Sequence, residues 1–175
     1  GGIYTTVQDY PGRVGYWNVG IPPSGPMDSY SFNCANWLVG NDQSEAALEI
    51  TVTGPSIYFH ADAIVGLCGA ELEADLNGQP VQWWAATFVP RGSTLNLGKI
   101  VGNGSRSYLA FQNGLEIEEY LGSKSTFPKG QFGGYKGRPL AEGDYLRTGA
   151  APVDESRIYF VEKRDILRLS DRWTI

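Results

Sequence analysis

The chain has 175 residues and a mass of 19.1 kDa, which is the size of one domain or two very small ones. Its hydrophobic fraction of 42% and charged fraction of 19% are typical of a globular protein and argue against disorder. The net charge of −5 argues against a nucleic-acid partner, because phosphate binding needs a cationic face. We also expect no membrane span, since no run of about 18 apolar residues is present.

The cysteine and histidine content argues against a zinc site. The chain has one histidine, His60, and two cysteines, Cys34 and Cys68, without metal-ligand spacing. A carboxylate-bound metal stays open. The apolar surroundings of both cysteines favour reduced thiols, and the N-terminus lacks the basic region and apolar core of a signal peptide, so we expect a cytoplasmic protein. His60 follows a predicted strand, and we interpret it as an edge residue.

Period-two alternation of apolar residues predicts many short strands separated by turns. The 23 glycines and 10 prolines agree with a chain that turns often. Asn77-Gly78 predicts a tight hairpin between 71–76 and 79–83. The predicted strands are Ile3–Val7, Glu49–Val52, Ser56–Phe59, Ala63–Leu67, Leu72–Leu76, Thr87–Val89, Thr94–Leu97, Ser107–Phe111 and Arg157–Val161.

One helix is predicted after Asp28, whose carboxylate can cap the free N–H groups of a helix start. Phe32, Ala35 and Val39 recur at helical spacing, and Gly40-Asn41 supplies a left-handed stop. A second short helical turn is predicted at Ile117–Leu121. Many strands with one or two short helices indicate a mainly β fold, a barrel or a sandwich rather than a parallel α/β sheet.

Gln8–Arg13 places an amide, a carboxylate and a guanidinium on a Pro-Gly turn. One interpretation is that Gln8, Asp9 and Arg13 bind a polar ligand. The alternative is an Asp9–Arg13 ion pair that only fixes the turn, since such pairs are common and usually structural.

Gly20–Asp28 contains three prolines and two glycines and leads directly into the predicted helix. Free backbone N–H groups at a helix start favour an anion, so Ser24, Gly25 and Met27 are candidates for a carboxylate or oxyanion cradle, with the Ser24 hydroxyl as an extra donor. The alternative is a rigid loop capped by Asp28. Capping and general-base catalysis are hard for Asp28 to combine.

Two further segments are candidates for the site. Glu49 interrupts an apolar run, so it is either in a structural ion pair, for example with an arginine, or a site residue with a shifted pKa. The segment 120–138 predicts a long ordered loop, which in a compact domain is often functional. Its polar side chains could bind a carboxylate or could simply lie on the surface; they are Lys124, Ser125, Thr126 and Arg138.

Long ordered motifs in the chain resemble the biotin-dependent carboxyltransferase family, also called the allophanate hydrolase subunit 2 family. Within that family the chain is most similar to the carboxyltransferase domain of urea carboxylase, as found in urea amidolyase. The motifs that carry the resemblance are Thr5-Thr-Val-Gln-Asp-Tyr-Pro-Gly-Arg13, Gly15-Tyr-Trp17, Gly20-Ile-Pro-Pro-Ser-Gly-Pro-Met-Asp-Ser29, Ala35-Asn36, Leu38-Val-Gly-Asn41, Leu48-Glu-Ile-Thr51, Tyr120-Leu-Gly-Ser-Lys-Ser-Thr-Phe127 and Gly133-Gly-Tyr-Lys-Gly-Arg-Pro-Leu140.

The resemblance implies a cyclophilin-like β-barrel and a reaction. In that reaction biotin on a separate carrier domain, carboxylated by a separate ATP-using biotin carboxylase domain, delivers its carboxyl group to urea and gives allophanate. Placed on this scheme, the N–H groups around Ser24–Met27 would hold the carboxylate or the biotin oxyanion. Gln8, Asp9 and Arg13 would orient the acceptor, and Asp28 and Glu49 would support them.

The resemblance also implies a longer domain. The family domain is about twice this length, and the strand-like pattern at Asp165–Ile175 stops abruptly, so we expect residues 1–175 to be the N-terminal half of a carboxyltransferase domain, with little activity alone. Two other functions stay open: a component of another ATP-dependent complex that acts on a lactam such as 5-oxoproline, and a non-enzymatic protein-binding module.

Overall fold

The computed structural model describes residues 2–168 and 170. Within that part the chain forms nine strands, one α-helix and two short 3₁₀ turns. The helix, α1, is Ser29–Leu38, and the 3₁₀ turns are Trp17–Val19 and Glu155–Arg157. The strands are β1 Tyr4–Gln8, β2 Ala47–Thr51, β3 Ser56–Tyr58, β4 Ala63–Gly69, β5 Leu72–Leu76, β6 Gln79–Pro80, β7 Ala85–Val89, β8 Thr94–Ile100 and β9 Arg106–Phe111.

The strands form two antiparallel sheets. The five-stranded sheet has the order β1-β2-β9-β4-β7, and the four-stranded sheet has the order β3-β8-β5-β6. The predicted mainly β fold is confirmed. The two sheets stay separate over the described residues, so the barrel is not closed by hydrogen bonds all the way round.

Alternation along the strands of the five-stranded sheet divides the core in two. Leu48 of β2 and Leu109 of β9 face the space between the two sheets, and both are fully buried. Tyr108 and Ala110 of β9 face the other side, where α1 covers the sheet. Side chains on this second face of the sheet therefore lie near the helix and the loop that leads into it.

Helix α1 begins where the sequence predicts. Asp28 has extended backbone geometry, and its carboxylate accepts hydrogen bonds from the N–H of Ser31 at 3.1 Å and from its hydroxyl at 2.5 Å. Phe32 and Ala35 are fully buried against the sheet. The helix lies so close to β4 that a Cβ at Gly66 would stand 2.5 Å from the Ala35 carbonyl oxygen, so glycine is required there.

Two predicted elements are wrong. Arg157–Val161 is not a strand: after the 3₁₀ turn at Glu155–Arg157 the backbone is irregular, and Ile158 and Val161 pack against the helix-side cluster instead. Ile117–Leu121 is not helical, because Leu121 has φ of +54°, which a right-handed helix cannot accommodate.

The predicted hairpin is present, whereas the predicted strand pattern near the end of the described chain is not a strand where it can be seen. The Asn77-Gly78 turn joins β5 and β6 as predicted, although β6 covers only Gln79–Pro80. Residues 165–168 are not a strand, and the rest of the strand-like pattern at 165–175, apart from residue 170, lies outside the described residues. No helix in 2–168 is long and apolar enough to cross a bilayer.

Candidate functional site

Two loops near the N-terminus and a third segment more than a hundred residues later meet at one end of the five-stranded sheet. The Gly25 N–H donates to Gln8 Oε1 at 3.0 Å, and the Arg13 N–H donates to the Pro23 carbonyl at 2.6 Å. The Asp9 N–H donates to Ser125 Oγ at 3.0 Å. The 8–13 turn therefore lies between the 20–28 loop and the 123–126 segment, as expected if all three belong to one site.

Asp9 is the centre of what we call the Asp9 junction, formed by Asp9 with Ser123, Lys124 and Ser125. Its Oδ1 accepts from the hydroxyls of Ser123 at 2.6 Å and Ser125 at 2.5 Å, and its Oδ2 accepts from the Lys124 N–H at 2.7 Å. Ser123 and Ser125 are fully buried. Both carboxylate oxygens are thus occupied by donors of this chain, which fixes the 123–125 segment to the first turn.

Arg13 crosslinks the same loops from inside the protein. Only 1% of its surface is exposed, and it donates to the carbonyl oxygens of Tyr120 and Ser125, each at 2.9 Å. The guanidinium carbon lies 4.9 Å from the centre of the Phe132 ring. Burial lowers the pKa of Arg13, while the Asp9 carboxylate acts in the opposite direction.

The Asp9–Arg13 ion pair considered from the sequence is not formed within 4 Å in the described chain. Each residue instead binds main-chain or hydroxyl groups of 120–125. Arg13 Nη1 is buried and has no hydrogen-bond partner among the described residues. Direct contact between Arg13 and a ligand would require the 120–125 segment, to which Arg13 is bonded, to move.

Glu49 forms a second junction, on the helix side of β2, which we call the Glu49 junction. Its Oε2 accepts from the Met27 N–H at 2.7 Å and from the Tyr108 hydroxyl at 2.9 Å. The Tyr108 oxygen in turn accepts from the Asp28 N–H at 2.8 Å. Burial raises the pKa of Tyr108, and the adjacent Glu49 carboxylate raises it further, so this phenol stays protonated and donates to Glu49.

The second oxygen of Glu49 has a different environment. Its charged neighbour among the described residues is Arg106, whose Nε lies 3.8 Å from Oε1, and no hydrogen bond to Oε1 is found there. Arg106 Nε is itself buried without a hydrogen-bond partner in the same part of the chain. Glu49 therefore has the arginine partner that the structural interpretation required, but the contact is long and Oε1 retains capacity to accept a hydrogen bond.

The N–H groups expected to cradle an anion are partly occupied. Those of Gly25 and Met27 bind Gln8 and Glu49, and Asp28 is occupied as the helix cap. Ser24 differs, because it is half-buried with φ of +57°, and its hydroxyl has no partner among residues 2–168. The 20–28 loop is thus fastened by side chains of the sheet and presents Ser24 at its surface.

The remaining predicted residues are distributed over two places. Thr126 is buried, and both its N–H and its hydroxyl donate to the Val7 carbonyl at 2.9 Å. Lys124 Nζ lies 3.5 Å from Glu45 Oε2. Arg138 makes a bidentate pair with Asp144, with both N–O distances at 2.7 Å, and is not bound to the 8–13 turn.

Tyr108 is the residue that sequence reasoning missed. It stands directly opposite Glu49 in the β2–β9 register, so the two side chains project from the same face of the sheet. A tyrosine inside a predicted strand looks like an ordinary core residue until that pairing is known.

The match to a family model decides the classification of the chain. The model described as "Carboxyltransferase domain, subdomain A and B" matches residues 19–175. The chain belongs to this carboxyltransferase family. The family resemblance expected from the motifs is confirmed.

Curated relatives fall into two groups. Urea amidolyase of Saccharomyces cerevisiae is 50% identical over 145 residues, covering 83% of this chain and 8% of the relative. A putative urea carboxylase of Emericella nidulans is 42% identical over 176 residues, covering all of this chain and 14% of the relative. A 5-oxoprolinase subunit of Escherichia coli is 41% identical over 155 residues, covering 87% of this chain and 49% of the relative.

Solved structures agree with the first group. A crystal structure of urea amidolyase from K. lactis superposes with a TM-score of 0.89 and 42% identity, covering 97% of this chain and 11% of that chain. A crystal structure of Kluyveromyces lactis urea carboxylase gives the same TM-score and identity, with 16% of that chain covered. The chain thus spans a small fraction of the urea-acting relatives and about half of the 5-oxoprolinase relative.

Proposed function

We propose that this chain is part of a cytoplasmic, biotin-dependent carboxyltransferase that moves a carboxyl group from carboxybiotin to urea and forms allophanate. The urea-acting relatives, at 42–50% identity, support this substrate. We propose that residues 1–175 are the N-terminal half of the transferase domain. A second half, a biotin carrier domain and an ATP-using biotin carboxylase domain would complete the enzyme.

The single observation that carries the site assignment is the asymmetry of the Glu49 carboxylate. Oε2 is held by two donors of the chain, whereas Oε1 has only a distant arginine beside it among the described residues. A carboxylate that is fixed through one oxygen can accept an amide N–H through the other without reorganising. We therefore propose that Glu49 orients urea by accepting one of its N–H groups, and that Asp28 supports this by holding the start of α1.

When bound, carboxybiotin would supply the carboxyl group for the urea nitrogen, and biotin would take up the proton that this nitrogen loses. Donors that this chain offers an anionic or ureido group include the half-buried hydroxyl of Ser24, on the loop next to Gly25. A hydroxyl without a partner in the described chain can donate a hydrogen bond to the oxygen of an anionic or ureido group. Lys124, at the neighbouring segment, adds a cation whose present partner, Glu45, lies 3.5 Å away.

The other site residues are proposed to hold the loops of the site in place. Gln8 fixes Gly25, Asp9 fixes the 123–125 segment, and Arg13 fixes 120–125. Met27 and Thr126 fasten their segments to β2 and β1, and Ser125 joins its segment to the 8–13 turn. For Arg138 we propose a substrate contact only if its pair with Asp144 opens in the complete enzyme.

The test is transfer of isotope-labelled bicarbonate to urea by the full-length parent enzyme. Glu49→Gln keeps the size and one hydrogen-bonding oxygen but removes the charge, and we expect allophanate formation to fall at least ~100-fold, within the range of one lost electrostatic contact. Asp42→Asn is the matched control, because Asp42 is exposed and its carboxylate accepts hydrogen bonds only from Ser44 in the described chain. Unchanged turnover of Glu49→Gln would remove the assignment.

A lactam acceptor is the second candidate, because the Escherichia coli 5-oxoprolinase relative is 41% identical over most of this chain. The same assay separates the two acceptors when urea and 5-oxoproline are supplied in parallel. Label in allophanate supports urea as the acceptor. Turnover of 5-oxoproline alone would replace urea by the lactam, and the Glu49→Gln variant would then test the role of Glu49 with 5-oxoproline as substrate.

A further inference from the structure

A cleft of about 960 Å³ opens along β3, away from the two junctions. Residues 55–63 form one wall and residues 140–148 form the other. The rings of His60 and Tyr145, one from each wall, lie with centres 5.6 Å apart. None of the candidate site residues of the preceding sections lines this cleft. It is therefore a separate feature of the fold.

One wall of the cleft is a strand edge that no other strand of residues 2–168 pairs with. β3 is the end strand of the four-stranded sheet and pairs with β8 on one side. Main-chain bonds towards β8 are made on either side of β3: the Phe59 N–H donates to the Ser93 carbonyl at 2.9 Å, and the Pro55 carbonyl accepts from the Leu97 N–H at 3.0 Å. Because such bonds alternate along an antiparallel pair, the N–H and C=O groups of Ser56 and Tyr58 point away from β8.

The floor of the cleft is apolar. Leu48 is fully buried, and Leu115, Phe111 and Phe59 are 2%, 5% and 7% exposed, so the cleft reaches the core between the sheets. A strand laid beside β3 presents every second side chain to one face. Apolar side chains at alternate positions of such a strand would meet this floor.

The rim of the cleft is acidic. Asp62, Glu116 and Glu142 line it together with one arginine, Arg147, while Asp144 is neutralised by Arg138. The excess of negative charge at the rim has the same sign as the chain's net charge of −5. A segment with lysine or arginine at its ends is complementary to this rim.

We propose that the cleft binds an extended segment of a partner protein as an added strand on β3, with apolar side chains at alternate positions and cationic residues at its ends. Main-chain bonds to Ser56 and Tyr58 hold the segment, the apolar floor selects its alternate side chains, and the acidic rim selects its ends. This is recognition by strand addition, in which the free edge gives affinity and the pockets give specificity. The inference does not depend on the reaction proposed above.

The first test uses a synthetic peptide, Lys-Thr-Val-Thr-Leu-Thr-Lys, with blocked ends, and the isotope-labelled chain in NMR titration and amide hydrogen exchange. We expect the amides of Ser56 and Tyr58 to exchange at least ~10-fold more slowly when the peptide is bound. A copy of the peptide N-methylated at alternate residues cannot donate to the edge, and it should bind at least ~10-fold more weakly. Equal binding of both peptides, or no binding of either, would overturn the proposal.

The second test uses surface variants that leave the core intact. Glu116 and Glu142 are both exposed, so the double variant Glu116→Lys/Glu142→Lys should fold. It should bind the lysine-ended peptide ~5–10-fold more weakly at low salt and should gain affinity for a glutamate-ended version. Glu118→Lys/Glu119→Lys, at exposed positions outside the cleft, is the matched control. Analytical ultracentrifugation completes the test, because a dimer that blocks peptide binding would show that a second copy, not a partner, covers the edge.

Discussion

Asp9 and Glu49 are two carboxylates that fasten loops to the same sheet. They differ in how many of their oxygens already accept hydrogen bonds from this chain. Both oxygens of Asp9 are filled by donors of this chain, two hydroxyls and one N–H. Glu49 uses one oxygen for the Met27 N–H and the Tyr108 hydroxyl, and its other oxygen has Arg106 at 3.8 Å. A saturated carboxylate is suited to holding structure, and a half-saturated one is suited to binding a ligand.

The residues of the candidate site fall into two groups, those that hold the loops in place and those that can contact a ligand. Arg13 belongs with Asp9, because it is buried and its bonds go to main-chain carbonyls of 120–125. Ser24 belongs with Glu49, because its hydroxyl lacks a partner among the described residues and it is not fully buried. Variants of the first group should mainly change stability, and variants of the second should mainly change activity.

The largest stability effect is expected at Asp9. Asp9→Ala leaves the buried Ser123 hydroxyl and the Lys124 N–H without their acceptor and leaves the Ser125 hydroxyl only the Asp9 carbonyl at 3.3 Å, so we expect a loss of about 3 kcal/mol in the free energy of unfolding. Guanidinium chloride denaturation followed by tryptophan fluorescence measures it. Asp42→Ala is the control, since Asp42 is exposed. A loss below about 1 kcal/mol for Asp9→Ala would mean that Asp9 does not hold the junction.

An intermediate effect is expected at Tyr108. Tyr108→Phe keeps the edge contact of the ring with Phe32 but removes the hydroxyl between Glu49 and the Asp28 N–H, which should cost about 1–2 kcal/mol. Tyr58→Phe, at a half-exposed ring, should change stability by less than about 0.5 kcal/mol. Equal denaturation midpoints for the two variants would show that the Tyr108 hydroxyl is dispensable to the Glu49 junction.

The smallest effect is expected at a third carboxylate, Asp144, which is paired with Arg138 in a partly exposed position. The hydrogen bonds from Arg138 lower the pKa of Asp144 to about 2. Because this folded-state pKa lies below the unfolded value of roughly 3.9, the stabilisation is present above about pH 4–5 and is lost as the pH falls towards 2. Allowing for solvent screening, it should amount to about 1 kcal/mol or less.

Asp144→Asn tests this directly in acid denaturation curves. The variant should lose stability at neutral pH and should show a smaller decrease than the parent between about pH 5 and pH 2. High salt should reduce the difference between the two proteins, because exposed pairs are screened. Identical pH profiles for variant and parent would mean that the Arg138–Asp144 pair contributes nothing to stability.

The sequence was informative where local chemistry decides the structure. Period-two alternation located strands such as β8, and Asp28 was identified as a helix cap because capping uses neighbouring groups. Ile158 and Val161 show the limit: their spacing suits a strand, but helix α1 offers them an apolar face, and packing there replaces strand pairing. Leu121 required a left-handed backbone that no residue pattern signalled.

The site was predictable as a set of segments and not as a set of contacts. Loops rich in glycine and proline were named from the sequence as candidate segments, and three of them lie together in the structure, but which group binds which depends on register and long-range packing. The Glu49–Tyr108 pair follows from the β2–β9 register, and the Arg138–Asp144 pair joins residues six positions apart across a turn. Neither relation is visible until the strands are paired and the loops are closed.

The Asp9–Ser125 bond joins residues 116 positions apart, and the Arg13–Tyr120 bond joins residues 107 positions apart. On a ribosome, the first turn therefore emerges long before its partners in 120–125, which are made only after more than a hundred further residues. Contacts of this separation carry a large loop-closure entropy and form late in folding. The end of the sheet that gathers the candidate site is thus expected to be among the last parts of the chain to become native.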